Sequence, residues 1–440
     1  MASTDRTSED KIIEKISVPK KFILAIQHVF VMNAFIVPVI LGSLLGLSSH
    51  DSSALIQSTL LVSGIITFLQ AKFFMKYPVV YGPSFVPIGA IAGIYAVHGG
   101  AAGGWSYVAG ASMAGAAAII CVGLTGKFKN ILDSLITPVV SGIIVLSIGV
   151  SLIPVAFTSM VYKGQGQVLG HNILIALVTM AVMVIFSILG LKQNKLGSIS
   201  RTGSCIFALL AGVVVAQIVN PVDVSAINAS PWILRPALPF VDFGIKFDLV
   251  SVITMIVLYF IMMTENTGTW IATSSATDTD LHAQRLNKGV VGIGISNAIG
   301  ALFGSTPQSA YSSNIGILTI TDVYSKHVFS FVGLMLVLIG CSGKLSACIA
   351  TLPSAAVGGI FLLTCGIIAS AGIDILKSCE INLKQTYMIA SCLVVAIGLN
   401  ILPAGSLETL PSLVKYLLGS PIASSALLAI VLNKLIPETI

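Results

Sequence analysis

The sequence predicts an all-α membrane protein whose fourteen membrane-crossing segments form two inverted repeats of seven. The first observation behind this prediction is composition. Hydrophobic residues make up 55% of the 440 residues and charged residues only 9%, whereas a soluble domain carries about 25% charge. So few charges cannot cover a surface that faces water, and we therefore expect lipid to surround most of the chain.

Apolar runs recur along the whole chain and are separated by short polar connections. Most of them are long enough for a bilayer core, which requires about 20 helical residues, but the third and the tenth are too short. The predicted segments are 22–42, 54–71, 84–97, 104–124, 131–153, 171–191, 202–219, 248–270, 287–304, 310–321, 327–342, 346–372, 385–402 and 418–436.

The distribution of basic residues supports fourteen crossings. When the chain is threaded with its N-terminus in the cytoplasm, eighteen of the 23 Lys and Arg residues face the cytoplasm and five face outside. Positive charge accumulates on the cytoplasmic side of membrane proteins, and one missed crossing would mix the two groups. We expect a multi-pass protein of the plasma (inner) membrane, with both termini cytoplasmic. We expect no cleavable signal peptide in the polar, basic residues 1–21.

Several functional classes are disfavoured. The net charge is +6, and the basic residues lie in short clusters between apolar runs. This distribution indicates the topology of a membrane protein rather than nucleic-acid binding. The seven cysteines form no CxxC pair and are expected to be apolar packing residues. The sequence suggests no metal-ligand cluster, no phosphate-binding loop and no Ser/His/Asp set. We therefore expect neither an enzyme nor a metal or other cofactor, and an ATP-driven pump is disfavoured.

The two short segments occupy equivalent places. The longest predicted outer connection, about 220–247, leaves seven segments on each side, and an odd number per half reverses the second half, as in an inverted repeat. The third segment of each half begins irregularly, with YGPSFVP at 81–87 and STPQSAYSSNIG at 305–316. Irregular backbone at membrane depth survives only against protein or a wet cavity. Paired interruptions of this kind therefore indicate a substrate site near the membrane midplane.

Glu265 is the most informative single residue. It follows the uncharged run 249–264, and a carboxylate at that depth is costly unless it is hydrated, paired or protonated. It could hydrogen-bond a substrate N–H or carry a proton. Alternatively, the helix could end here and leave Glu265 in water. The uncharged residues that follow it argue against an early end, so a functional role is favoured.

Two polar residues and two aromatic residues have competing interpretations. Gln27 and His28 lie about one turn inside the first segment, where they could bond across helices or simply be hydrated. Phe85 and Tyr311 lie beside the interrupted backbone and could stack on a planar ring. Aromatic residues in membrane proteins are more often packing residues, so packing is the favoured interpretation of each when it is taken alone.

Ser312, Ser313 and Asn314 open the second half-helix. Such residues are typical N-caps, because their side chains accept hydrogen bonds from free backbone N–H groups. The same end of a helix also presents N–H groups and a positive dipole to a ligand. Both roles are compatible, and these residues are candidate substrate-binding residues.

Several short motifs, taken in order, resemble those of the nucleobase–ascorbate transporter family, which includes the xanthine and uracil permeases. Each motif is weak alone, but together they run in order from the first segment to the end of the tenth, and the resemblance covers nearly the whole chain. They are Gln27-His28-Val29, Tyr81-Gly-Pro-Ser-Phe85, Glu265-Asn-Thr-Gly268, Asn314-Ile-Gly316 followed by Thr321, and Tyr324-Ser325-Lys326.

The resemblance implies a division into two domains after a cytoplasmic segment 1–21. The core domain would comprise 22–125 and 248–343, which hold segments 1–4 and 8–11. The gate domain would comprise 126–247 and 344–440, which hold segments 5–7 and 12–14. The substrate would lie between two short antiparallel strands that lead into the half-helices of segments 3 and 10. Transport would be an elevator-like shift of core against gate, usually in a homodimer.

The resemblance also assigns roles to residues. Glu265 would bind ring N–H groups of a base, the strand before Asn314 would offer backbone amides, and Phe85 would border the ring. Two positions depart from the family pattern. Ser313 stands where Glu or Gln is usual, and Thr269 stands where His or Asp is often linked to proton handling. Coupling through Glu265, with Thr269 in the usual coupling position, stays possible because a buried carboxylate can bind a proton.

We therefore expect cation-coupled uptake of a nucleobase, either a xanthine- or urate-type purine or uracil, with a proton favoured over sodium. The expected partners are the nucleobase, the coupling cation, the bilayer and a second copy of the chain. An anion transporter of the sulfate-permease type is the alternative on the same architecture. It is disfavoured because no Lys or Arg lies in segments 3, 8 or 10. A passive channel is a third possibility.

Overall fold

The computed structural model describes residues 8–130, 137–157, 168–192, 195–219, 221, 225–233, 244–315, 318, 321, 323–377, 379–403, 406, 409–410, 414, 418–419 and 421–437. Helices dominate these residues, and one sheet of two short strands lies among them. The half-helix predicted after Asn314 lies mostly outside the described residues, as does half of the predicted outer connection 220–247.

The first half of the chain begins with a short helix and ends in a group of long ones. Its elements are α1 Ser8–Ile13, α2 Val18–Met32, α3 Ile36–Leu45, α4 Ser49–Lys72, β1 Tyr81–Pro83, α5 Ile88–Val97, α6 Gly104–Leu124, α7 Pro138–Val155, α8 Leu169–Leu189, α9 Lys195–Val219 and α10 Ser225–Ala229.

The second half begins with the longest described helix. Its elements are α11 Leu249–Thr277, α12 Ala283–Leu302, β2 Gln308–Ala310, α13 Lys326–Gly340, α14 Gly343–Ala350, α15 Ser354–Lys377, α16 Leu383–Ile401 and α17 Pro421–Leu435. Asp248 caps α11 by accepting a hydrogen bond from the Ser251 N–H at 2.9 Å. Side-chain caps of this type fix where helices begin.

Six described helices are long and apolar enough to cross a membrane: α4, α6, α8, α11, α15 and α16. The number rises to seven if α13 and α14, which are bent by 80° relative to each other, form one span. Shorter apolar helices include α3 and α5. The fourteen crossings predicted from the sequence therefore stay a prediction, whereas several membrane-spanning helices are present.

Two predicted segments are interrupted. Segment 22–42 is not one helix, because α2 ends at Asn33, whose φ of 49° is left-handed, and α3 starts at Ile36. Asn tolerates this conformation better than most residues. Segment 346–372 is likewise divided between α14 and α15 at Pro353, since proline interrupts the helical hydrogen-bond pattern.

Helices α4 and α13 approach each other closely through glycine. A Cβ added to Gly64 would lie 2.5 Å from the Gly333 carbonyl oxygen, and one added to Gly333 would lie 2.6 Å from the Phe68 nitrogen. Small residues allow such close helix contact in membranes. The contact fixes the position of α4, whose polar side chains Ser63 and Thr67 reach the two strands.

Candidate functional site

The two interrupted segments meet as a two-stranded antiparallel sheet. Tyr81 is paired with Ala310, Gly82 with Ser309 and Pro83 with Gln308. The ladder continues at both ends, where the Ser84 N–H donates to the Pro307 carbonyl and the Tyr311 N–H donates to the Val80 carbonyl, both at 2.9 Å. Both strands are buried. Segments from opposite halves of the chain therefore build one site.

Side chains of neighbouring helices hold the second strand. The Ala310 N–H donates to Asn266 Oδ1 at 2.8 Å, and the Asn266 amide donates in turn to the Met262 carbonyl at 2.7 Å. Asn297 both accepts from the Gln308 N–H at 2.7 Å and donates to the Gln308 carbonyl at 3.1 Å. Because a buried backbone group without a partner is costly, these two asparagines position the strand.

The first strand is held in the same way. The Tyr81 N–H donates to Thr67 Oγ1 at 3.0 Å, and the indole N–H of Trp270 donates to the Tyr81 hydroxyl at 2.9 Å. The Tyr311 hydroxyl donates to the Pro83 carbonyl at 2.8 Å. The last two bonds join opposite halves of the chain, so the two segments are fixed relative to each other.

The Glu265 side chain lies at the sheet. The Ser84 hydroxyl donates to Glu265 Oε2 at 3.0 Å and accepts from the Val86 N–H at 3.2 Å. The buried Ser309 hydroxyl also contacts this carboxylate, but it forms no well-shaped hydrogen bond. Glu265 itself is only partly buried. One edge of the carboxylate is therefore fixed by protein while the residue still reaches open space.

An exposed strip of α11 continues beyond Glu265. Gly268, Ala272 and Ser275 are exposed, and they share a helix face with Glu265 because of their three- and four-residue spacing. A Cβ added to Gly268 would meet no atom within 4 Å. The intervening Thr269 and Thr273 are buried. Small residues thus form an exposed strip of α11 that runs from the carboxylate toward the C-terminal end of the helix.

The structure gives Asn314 a specific partner. Its Oδ1 lies 2.9 Å from His28 Nδ1, although 286 positions separate the two residues. The His28 ring is buried and lies 4.7 Å from the Phe329 ring, between centroids. Asn314 Nδ2 is buried without a partner among the described residues. Asn314 therefore joins the turn after β2 to α2.

The remaining predicted residues are placed as follows. Ser312 is exposed, and the Ser313 side chain lies outside the described part of the structure. Gln27 is partly buried, with its Oε1 buried and without a described partner. Thr269 Oγ1 donates to the Ala310 carbonyl at 3.5 Å, which is a long hydrogen bond. Thr269 is thus directed at β2.

Phe85 faces another aromatic ring. Its ring stacks on that of Phe361 from α15, with 5.6 Å between centroids and 10° between planes. Phe361 is fully buried. Tyr311, partly buried, lies close enough to Glu265 to interact with it electrostatically. Glu265, Tyr311 and the segment 84–85 therefore form one neighbourhood, while the His28–Asn314 contact fastens the turn that follows Tyr311.

Sequence reasoning did not identify four residues of this neighbourhood: Ser84, Ser309, Asn266 and Phe361. The first three lie inside the quoted stretches 81–87, 265–268 and 305–316 but were given no role there, so their positions carried a usable signal. Phe361 lies in the apolar run IFLLT, in which nothing distinguishes it from a packing residue.

The chain is similar to known transporters along nearly its whole length. Residues 19–405 match the family model Xan_ur_permease, a permease family. The nucleobase transporter PlUacP of Paenibacillus larvae subsp. larvae is 31% identical over 421 residues, which cover 94% of each protein. The uric acid permease PucK of Bacillus subtilis is 29% identical over 421 residues, covering 93% of this chain and 94% of PucK.

A solved structure shares the fold. The transmembrane domain of the cyanobacterial bicarbonate transporter BicA superposes with a TM-score of 0.63 at 16% identity, covering 88% of this chain and 98% of that one. This likeness concerns the fold alone, whereas the family match rests on sequence. The chain therefore belongs to the xanthine and uracil permease family that its motifs resemble, and it is a multi-pass membrane transporter rather than an enzyme.

Proposed function

We propose that the protein imports a nucleobase, a xanthine- or urate-type purine or uracil, together with a cation. The single observation that supports this most is the position of the Glu265 carboxylate. It accepts a hydrogen bond from Ser84 beside two paired strands, and its helix face is open. The relatives named nucleobase transporter and uric acid permease support the substrate class.

The chemistry of a nucleobase fits these groups. A planar base presents ring N–H donors and carbonyl acceptors in one plane. In our proposal Glu265 accepts from ring N–H groups, and backbone N–H groups of the turn 312–314 donate to carbonyl oxygens. The N–H groups of Ala310 and Tyr311 already have protein acceptors. Phe85 borders the ring face. Ser312, Ser313, Gln27 and His28 stay candidate residues around this core of the site.

The proposed architecture has fourteen crossings in a seven-plus-seven inverted repeat, with both termini in the cytoplasm. The core, 22–125 with 248–343, would shift against the gate, 126–247 with 344–440, in an elevator-like movement of a homodimer. The bonds from Trp270 to Tyr81 and from Tyr311 to Pro83 support a core that moves as one body, because they join its two parts.

The coupling ion is proposed to be a proton carried by Glu265. A carboxylate that is fixed on one side and open on the other can accept a proton and release it as the transporter changes state. Thr269, in the position linked to coupling by the family resemblance, would act through its contact with the Ala310 carbonyl rather than by carrying a proton.

An anionic substrate fits less well. The stretches 81–97, 249–277 and 305–321 contain Glu265 but no Lys or Arg. An anion such as bicarbonate would therefore approach a carboxylate without a compensating positive side chain from these segments. The fold shared with BicA does not change this argument, since one fold supports different substrates.

Uptake by cells or proteoliposomes tests the proposal. Unlabelled uracil, xanthine, urate, guanine and adenine compete against a labelled base, and at least one of them should block uptake while bicarbonate and sulfate should not. An uncoupler should abolish accumulation, and replacement of sodium by choline should not. Uptake that follows sulfate or bicarbonate would contradict the substrate class. Accumulation that survives the uncoupler would contradict proton coupling.

Glu265→Gln tests the central residue. Loss of a hydrogen bond to a charged group costs about 1.5–3 kcal/mol, which corresponds to a fall in base affinity of about 10- to 150-fold. Asp374→Asn is the matched control, since Asp374 is exposed and its ion pair with Lys377, at 3.0 Å, lies on the surface. Normal concentrative uptake by Glu265→Gln would remove this carboxylate from the mechanism.

A further inference from the structure

A strongly basic surface surrounds the place where the N-terminal segment meets α13. Residues 11–21 carry four lysines and one glutamate. Lys15 and Lys21 from this segment, with Lys326 at the start of α13, lie close enough to the His327 imidazole to interact with it electrostatically. Lys326 is thereby brought near two lysines that lie about 300 positions earlier in the chain.

The N-terminal segment is fastened to α13 at this surface. Ile12 is buried at 2% exposure, and the Ser325 hydroxyl donates to the Glu14 carbonyl at 2.5 Å. The His327 side chain hydrogen-bonds the backbone of Ile13, and the Lys11 ammonium lies 5.2 Å from the centroid of the Tyr324 ring. The lysines are therefore held in place by a docked segment.

These three lysines have no carboxylate partner among the residues that the structure describes. No ion pair joins Lys15, Lys21 or Lys326 to an acidic side chain of the described residues. In addition, Ser17 at the start of α2 forms no side-chain cap, so free N–H groups and the positive end of that helix add to the local charge. Such a surface attracts an anion.

An apolar seam runs along the helices from this basic surface. Phe22 and Ile23 of α2 are 49% and 59% exposed, and Leu334 and Leu338 of α13 are 45% and 63% exposed. The Phe22 ring meets the Phe331 ring edge to face at 6.5 Å between centroids, which joins the two helices. Apolar residues this exposed on membrane helices face acyl chains.

We propose that the surface formed by Lys15, Lys21 and Lys326 binds the phosphate headgroup of an anionic phospholipid, whose acyl chains lie along the α2–α13 seam. The shared chemistry is recognition of a phosphate anion, and the adjoining seam favours a lipid over free phosphate. The inner leaflet is the location because the proposed topology places this end of α2 in the cytoplasm. Positive clusters beside a membrane helix bind anionic lipid for the same reason.

The site also has a structural consequence. A bound headgroup would neutralise the mutual repulsion of the lysines and hold the N-terminal segment against α13. Because Ser325 and Lys326 follow the second interrupted segment, the lipid would stabilise the core close to the end of that segment.

The test uses the purified full-length chain in detergent, with lipid retention measured by native mass spectrometry and stability measured by thermal unfolding. Phosphatidylglycerol is the probe, phosphatidylcholine the neutral comparison, and inorganic phosphate the free anion. The wild type should retain phosphatidylglycerol in preference to phosphatidylcholine and unfold at a higher temperature with it. Inorganic phosphate at the same concentration should have no effect.

Lys15→Gln/Lys21→Gln is the decisive variant. Each lysine near an anionic surface contributes about fivefold in affinity, so the double variant should bind phosphatidylglycerol about 25-fold more weakly. Lys15→Arg/Lys21→Arg should bind as the wild type does, which separates charge from folding. Lys127→Gln/Lys129→Gln is the matched control and should bind phosphatidylglycerol as the wild type does. It also removes two lysines, but neither of them is among those that interact electrostatically with His327.

Three outcomes overturn the proposal. They are unchanged lipid retention in the Gln pair, an equal loss in the matched control, and full protection by inorganic phosphate. None of these outcomes depends on which substrate is transported, so the lipid site and the proposed nucleobase uptake succeed or fail separately.

Discussion

Ser84 offers the sharpest test of how the candidate site works, because its hydroxyl contacts Glu265 and its side chain is small. The hydroxyl donates to Glu265 Oε2 at 3.0 Å, and Ser84 is 1% exposed. Ser84→Ala removes this donor without adding bulk. Hydrogen bonds to charged groups contribute about 1.5–3 kcal/mol, so we expect base affinity to fall by about 10- to 150-fold if the bond is needed to orient the carboxylate.

The substitution has a second effect that has to be separated from the first. Ser84 also accepts the Val86 N–H at 3.2 Å, and loss of that bond could disturb the start of α5. A double-mutant cycle with Glu265→Gln removes this contribution, because the lost Val86 bond occurs in both backgrounds. Equilibrium dissociation constants of the four proteins, measured by competition with a labelled base, supply the cycle.

We expect Ser84→Ala to cost much less affinity in the Glu265→Gln background than in the wild type. Ser309→Ala is the matched control, since that hydroxyl touches the same carboxylate without a well-formed hydrogen bond. It should change affinity by less than about threefold. The free-energy changes of independent sites add to within about 0.3–0.5 kcal/mol. If the changes in binding free energy of Ser84→Ala and Glu265→Gln add this closely in the double variant, Ser84 does not act through Glu265.

Two further predictions concern the strands and the exposed strip of α11. Gly82→Ala places a Cβ 2.8 Å from the Tyr311 ring, and overpacking of about 1–3 kcal/mol should reduce uptake at least about fivefold. Gly398→Ala, whose Cβ meets nothing within 4 Å, should transport normally, and equal uptake by both variants would contradict the prediction. In inside-out membrane vesicles, Ser275→Cys in a background without native cysteines should react with a membrane-impermeant maleimide and be protected by substrate, because the proposed topology places the C-terminal end of α11 in the cytoplasm. The buried Thr273→Cys control should not react, and an unreactive Ser275→Cys would show that this face of α11 meets lipid.

The sequence predicted those parts of the site whose residue types conflict with a membrane helix. Proline and serine within apolar runs indicated irregular backbone near Tyr81 and near Ser305, and the structure has strands rather than helix at 81–83 and 308–310. A carboxylate within an uncharged run drew attention to Glu265 for the same reason. These signals are local, so one sequence is sufficient to read them.

Contacts between distant segments could not be predicted. The Asn266 side chain accepts the Ala310 N–H across 44 positions, and His28 meets Asn314 across 286. Nothing in the local sequence selects these pairs from the other polar residues of the same helices. Phe361 is a clearer case, because its stacking on Phe85 depends on how α15 packs. The break at Asn33 was missed because a lone asparagine is a weak signal for a helix end.

The kind of contact found at each boundary bears on the proposed mechanism. Polar bonds join the two parts of the proposed core, as between Ser84 and Glu265 and between Ser63 and Gln308. The described contact between the interrupted segment and α15 of the proposed gate is an aromatic stack at Phe361. Directional hydrogen bonds resist displacement because their strength falls steeply with angle, whereas flat apolar surfaces exchange one packing for another at small cost.

A core that is joined by directional bonds and meets α15 through an aromatic stack is therefore suited to move as one body past that helix of the gate. In such a movement the carboxylate travels with both strands, so that the site keeps its shape while the open face of α11 changes its exposure. The same reasoning predicts where substitutions separate binding from movement. Changes at Asn266 or Asn297 should alter base affinity, whereas changes at Phe361 should alter the rate of transport more than affinity.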